Sequence, residues 1–103
     1  MIDDIALHRE EVRNLCRRYH VRRLDLFGSA VRDDFDPERS DLDFLVEFDR
    51  SHPDAMKFRT YLGLKNSLEE LLGRPVDLVE ESAVVNPYLK AEFERSRVKL
   101  FEA

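Results

Sequence analysis

Ser40-Asp41-Leu42-Asp43-Phe44-Leu45-Val46-Glu47-Phe48 reads as a β-strand with two unequal faces. Leu42, Phe44, Val46 and Phe48 recur at every second position, the period of a strand, and give one wholly apolar face. Asp43, Leu45 and Glu47 fall on the other face, which carries carboxylates at both ends. Asp41 and Asp43 stand two apart at the start of the strand, so their side chains leave it on the same side. Two carboxylates held that close repel each other unless a cation sits between them. Oxygen ligands in this arrangement suit Mg²⁺, which takes one or two carboxylates together with substrate phosphates. A sheet edge blunted by charge would carry the same two residues. Both readings stay open at this point.

Upstream, Leu24-Asp25-Leu26-Phe27 is a short β run stopped by Gly28-Ser29, which leads into Ala30-Val31-Arg32. A glycine at such a turn lets the backbone approach a ligand closely, and the amides that follow can cradle phosphate oxygens. Gly-Ser is also a common plain turn. Before it, Ile2, Ile5, Val12, Leu15, Cys16 and Tyr19 fall at helical spacing and predict one amphipathic helix from Ile2 to Tyr19. Downstream, His52-Pro53-Asp54 is expected to open a second helix, capped by Asp54 or Ser51. Tyr61, Leu64, Leu68, Leu71 and Leu72 form its buried stripe, and Gly73 ends it before Pro75. Val76-Asp77-Leu78-Val79 is a third short strand, with a carboxylate in the middle of an apolar run. If this strand lies beside Leu42 to Phe48, Asp77 can join Asp41 and Asp43 on one face; simple alternate exposure would explain it equally. Asn86-Pro87 starts a third helix, with Leu89 and Phe93 on one side, and Val98 to Phe101 adds a last strand. The fold class is therefore α/β (α+β), a small mixed sheet with helices packed mainly on one face.

The chain has 103 residues, of which 43% are hydrophobic and 38% charged. That length and balance predict one domain over residues 1–103 and exclude a disordered or fibrous protein. No run of 18 apolar residues exists to span a membrane, and the acidic start Met1-Ile2-Asp3-Asp4 does not read as a signal peptide. The single Cys16 cannot form an internal disulfide, which fits a reducing cytoplasm. A net charge of −5 argues against stable nucleic-acid binding by phosphate neutralisation. Its distribution says more: from Asp33 to Asp49 there are eight carboxylates against one base, Arg39.

Taken together, Phe27-Gly28-Ser29-Ala30-Val31-Arg32, Ser40-Asp41-Leu42-Asp43-Phe44-Leu45-Val46 and Val76-Asp77-Leu78-Val79 resemble the nucleotidyltransferase domain of the DNA polymerase beta superfamily. In particular the chain looks like the minimal nucleotidyltransferases (MNT proteins) of prokaryotes, antitoxins of HEPN–MNT toxin–antitoxin pairs. That family's pattern is a Gly-Ser turn, then Asp-x-Asp about ten residues later, then an Asp on a later strand. This chain departs from it by the eleven residues between Ser29 and Asp41, and by Asp33 where members often have Gly. The resemblance implies a polymerase-beta-like nucleotidyltransferase fold. It implies that Gly28, Ser29 and Arg32 bind the phosphates of ATP, and that Asp41, Asp43 and Asp77 hold two Mg²⁺ ions. Asp77 would also accept a proton from the attacking hydroxyl. It implies transfer of AMP to a hydroxyl of a partner protein, a tyrosine of a HEPN-domain RNase toxin, and hence a type VII antitoxin. The apolar surfaces along Tyr61–Leu72 and Tyr88–Phe93 are candidate docking faces, and assembly as a homo- or hetero-oligomer is compatible with the short chain. Two other readings remain: a non-catalytic antitoxin that blocks a toxin sterically, and a nucleotidyltransferase that acts on a small molecule.

Overall fold

The computed structural model describes residues 3–28, 31 and 41–103. Helices α1 (Asp3–Leu7) and α2 (Arg9–Arg18) lead into β1 (Val21–Phe27), and β2 (Leu42–Phe48) follows. Helix α3 (Phe58–Leu72), β3 (Val76–Glu80), a 3₁₀ turn (Glu81–Ala83), α4 (Pro87–Ser96) and β4 (Val98–Glu102) complete the order. The four strands form one mixed sheet in the order β3-β2-β1-β4. β1 lies antiparallel to β2 and to β4, while β2 and β3 run parallel through α3. A parallel pair needs such a crossover, and the helix in it covers one face.

That face is the core. Leu24 and Leu26 of β1, Leu42, Phe44 and Val46 of β2, Val76 and Leu78 of β3 and Leu100 of β4 pack against Val12 and Cys16 of α2 and Leu64, Leu68 and Leu72 of α3. Burial pushes the Cys16 thiol up to about 12, so it serves as a small hydrophobe rather than a nucleophile. Tyr61 and Leu71 are only partly buried beside the stripe, and Gly73 ends α3 in the left-handed region at φ 65°. Asn86 caps α4 by accepting from the amides of Tyr88 at 2.9 Å and Leu89 at 3.3 Å, with Pro87 at the first helical position. Among the described residues no helix is long and apolar enough to cross a membrane.

Three local expectations need correction. The N-terminal helix breaks at His8, so α1 and α2 replace a single helix. β1 starts at Val21, three residues earlier than the apolar run suggests, because Val21 pairs with Phe48 of β2 and Arg23 pairs with both β2 and β4. Helix α3 starts at Phe58 with Lys57 at its N-cap, and no side chain caps it. Neither predicted cap is available. The Ser51 hydroxyl donates to Asp49 at 2.6 Å, and the Asp54 carboxylate pairs with Lys57 Nζ at 2.6 Å.

The opposite face is held by charge. Phe27 and Asp25 point away from the core, opposite in direction to Leu24 and Leu26. Phe93 of α4 meets Phe27 edge to face, with ring centroids 4.6 Å apart. Asp25 is fully buried and accepts from Arg23 Nε at 3.1 Å and from Arg97 Nε at 2.6 Å. Arg97 also donates to Glu81 at 2.7 Å and to Glu94 at 2.6 Å, so one guanidinium ties β1, the 3₁₀ turn and the end of α4 together. Removing one partner of a buried pair strands the other, so Arg97→Ala should cost about 3–5 kcal/mol in urea unfolding. The hydrogen bond from Arg97 holds the Glu81 carboxyl below its ordinary range. Its stabilising contribution is therefore present at neutral pH and is lost as pH falls through that lowered value. Glu81→Gln should accordingly flatten the acid side of the stability–pH curve, measured by urea unfolding between neutral and acid pH.

Candidate functional site

The open face carries one row of three residues in register. Phe27 of β1 stands opposite Asp43 of β2, and Asp43 stands opposite Asp77 of β3. The next row on the same face is Asp25, Leu45 and Val79, in which Asp25 and Leu45 are almost fully buried. Asp43 is half-buried, whereas Asp41 and Asp77 are exposed. Asp41 lies just before β2, at the rim where the strand begins.

The position of Asp77 is fixed by α3. Glu69 Oε2 accepts from the amide of Val76 at 3.0 Å, and the Tyr61 hydroxyl donates to the carbonyl of Leu78 at 2.5 Å. These contacts hold β3 on either side of Asp77. The amide of Leu42 donates to the carbonyl of Pro75 at 3.0 Å, which sets the register with β2. Burial, and then the charge of Asp77, raise the Tyr61 phenol above its ordinary value, so it stays a proton donor to Leu78.

Gly28 ends β1 beside Asp43. Its φ is 77°, and the amide of Val31 donates to its carbonyl at 3.1 Å. A Cβ built on Gly28 would collide with Asp43 Oδ2 and lie 3.2 Å from its Cγ. The glycine is thus required twice, by a left-handed backbone and by the carboxylate packed against it. Ser29 and Arg32, the other expected phosphate-binding residues, lie outside the described residues.

The sheet therefore brings Gly28, Asp43 and Asp77 together, with Asp41 at the rim. Ligand atoms of Asp41, Asp43 and Asp77 do not all close to within 4.8 Å of one another. An all-carboxylate donor set facing a glycine fits a hard divalent cation that shares its coordination with phosphate oxygens and water. Of the expected docking surfaces, Leu64, Leu68, Leu72 and Phe93 are buried, whereas Tyr88 is 85% exposed and Leu89 is 44% exposed. Phe58, Met56 and Val85 are exposed apolar groups that the helical pattern did not single out. Asp25 was also missed, since its partner Arg97 is 72 residues away in the chain.

The nucleotidyltransferase domain profile matches residues 8–100. A Methanocaldococcus jannaschii protein, provisionally named a protein adenylyltransferase, is 39% identical over 97 residues, covering 94% of this chain and 92% of its own. The protein adenylyltransferase MntA of Thermococcus cleftensis is 40% identical over 80 residues, which is 78% of this chain and 73% of its own. A solved structure provisionally identified as a minimal nucleotidyltransferase superimposes with a TM-score of 0.74 at 35% identity, covering 94% of this chain and 95% of its own. The same fold recurs in a toxin–antitoxin structure with AMP-PNP, with a TM-score of 0.70 at 21% identity, over 92% of this chain and 73% of that one. It recurs again in a complex of an MNT antitoxin with the tri-AMPylated Shewanella oneidensis HEPN toxin, with a TM-score of 0.65 at 20% identity, over 95% of this chain and 72% of that one.

Two glycines with similar backbones separate strain from contact. Gly73, at φ 65°, has nothing within 4 Å of an added Cβ. Gly73→Ala should cost only the left-handed penalty, about 1–2 kcal/mol. Gly28→Ala should cost measurably more, because Asp43 must move as well. Thermal or urea unfolding of the two variants checks this, with equal losses counting against the Asp43 contact.

Proposed function

This chain belongs to the nucleotidyltransferase domain family, and we propose that it transfers AMP from ATP to a hydroxyl of a partner protein. The observation that carries this reading is the row in which Asp43 and Asp77 face one way beside Gly28. The names of the relatives support a protein as acceptor, and the toxin–antitoxin setting of structures with this fold supports a HEPN toxin as partner. The chain would then act as an antitoxin in the cytoplasm, with a tyrosine of the toxin as the modified group.

In this reading the triphosphate lies over Gly28, where no side chain separates backbone from phosphate. Ser29 donates its hydroxyl to the same phosphates, and Arg32 adds positive charge beside them. Asp41, Asp43 and Asp77 would hold two Mg²⁺ ions, which would supply charge neutralisation of the triphosphate and a lowered pKa for the attacking hydroxyl. Asp77 takes the proton of that hydroxyl. The acceptor oxygen forms its bond to the α-phosphorus as the bond to the departing pyrophosphate breaks, in line with the attack. Positioning and charge neutralisation supply the acceleration. The partner supplies the recognition of the acceptor.

Transfer of label from α-³²P-ATP in host lysate, resolved into protein, RNA and small-molecule fractions, tests this reading. Wild type with Mg²⁺ should label a protein. Asp43→Ala should reduce that labelling by at least about a hundredfold with the circular dichroism unchanged. Inactive wild type in Mg²⁺, or an active Asp43→Ala, would overturn the assignment; label in the small-molecule fraction alone would replace the protein acceptor.

A further inference from the structure

At the far end of the sheet from Gly28 and Asp43, two loops meet through a pair of histidines. His20 occupies the turn between α2 and β1, and His52 lies in the connection between β2 and α3. Among the described residues His20 alone, glycines apart, has a positive φ, at 62°. The backbone of Asp49 holds both loops, donating to the His20 carbonyl at 2.8 Å and accepting from the His52 amide at 3.1 Å. The two imidazole rings stack with centroids 3.6 Å apart and an interplanar angle of 14°. Asp54 completes the group, and one ligand atom from each of the three residues lies within 4.8 Å of the others. All three residues are half-buried.

We propose that His20, His52 and Asp54 form a binding site for a transition-metal ion of the Zn²⁺ class. Two imidazole nitrogens, one carboxylate oxygen and a water make a tetrahedral donor set of the kind Zn²⁺ adopts, once the rings turn out of their stack so that the in-plane nitrogen lone pairs converge on one point. Nitrogen donors favour Zn²⁺, Co²⁺ or Ni²⁺ over Mg²⁺, whereas the carboxylates at the other end of the sheet favour Mg²⁺. The basic neighbours of Asp54 leave it able to ligate. Lys57 Nζ at 2.6 Å and Arg59 Nη2 at 3.8 Å both reach Oδ1, so Oδ2 is the oxygen offered to the metal. The Nδ1 of His52 accepts from the Asp54 amide at 3.1 Å, and coordination through that nitrogen replaces this one hydrogen bond. Lys57 and Arg59 oppose a cation at the site, while Asp49, which interacts electrostatically with both histidines, offsets them. A bound metal would staple the α2–β1 turn to the β2–α3 connection, in a structural role apart from the transfer chemistry.

The test uses the tag-free chain, stripped with EDTA and titrated with Co²⁺. Wild type should develop the visible absorption of tetrahedral Co²⁺ at one equivalent, and Zn²⁺ should abolish it. His20→Asn, chosen because asparagine tolerates the left-handed backbone, and His52→Ala should each weaken Co²⁺ binding by at least about tenfold with unchanged circular dichroism. Asp43→Ala and Asp77→Ala should leave the absorption intact. Absence of tetrahedral absorption in wild type would overturn the proposal, as would absorption that survives in the His20→Asn/His52→Ala double variant.

Discussion

Parallel pairing of β2 with β3 sets Asp43 and Asp77 side by side on one face of the sheet. Like charges directly opposite each other oppose the pairing that brings them together. The register survives because α3 holds β3 by its backbone, through Glu69 at the Val76 amide and Tyr61 at the Leu78 carbonyl. α3 is itself fixed by Leu64, Leu68 and Leu72 in the core. Apolar burial on one face thus stabilises a repulsive arrangement on the other, and a divalent cation shared with phosphates would turn that repulsion into attraction. The site is held through the sheet by the core and by α3.

The two faces of the sheet use different forces. On the core face, buried aliphatic side chains interlock between strands and helices, with Cys16 among them as one more apolar group. On the open face, α4 is attached by the Phe27–Phe93 contact and by the ion pairs of Arg97. A buried ionic network of this kind is directional, since the guanidinium fork must meet Asp25 and Glu81 at once. It therefore fixes where α4 lies as well as how firmly. The exposed apolar residues Val85, Tyr88 and Leu89 lie beside or in the first turn of that helix, so their placement depends on the same guanidinium.

The strand that anchors the site was legible because its period is local. Alternation from Leu42 to Phe48 predicts both its limits and its two faces, and the Asn86-Pro87 start of α4 is equally local. The start of α3 was misread because sequence gives the candidates for a cap without their competitors. Asp54 is drawn to Lys57, and Ser51 to Asp49. The break at His8 left no trace in the apolar spacing, which continues across it. Of the candidate site, the order of Gly28, Asp43 and Asp77 could be read, and their adjacency could be stated only as a condition on strand pairing. The contact of Gly28 with the Asp43 carboxylate, the burial of Asp25 under Arg97, and the stacking of His20 on His52 are all products of tertiary structure. Each joins residues between 15 and 72 positions apart, beyond the reach of any local pattern.

The packing of Gly28 against Asp43 has a consequence for how such a chain can diverge. A side chain introduced at position 28 must displace the carboxylate at position 43 before it can be accommodated. The reverse does not hold, because shortening the residue at 43 would open room beside 28. Substitution at the two positions is therefore ordered: a lineage could lose the acid first and the glycine afterwards, but not readily the other way. A descendant with a bulky residue at 28 and an intact aspartate at 43 would have to hold that carboxylate in another position.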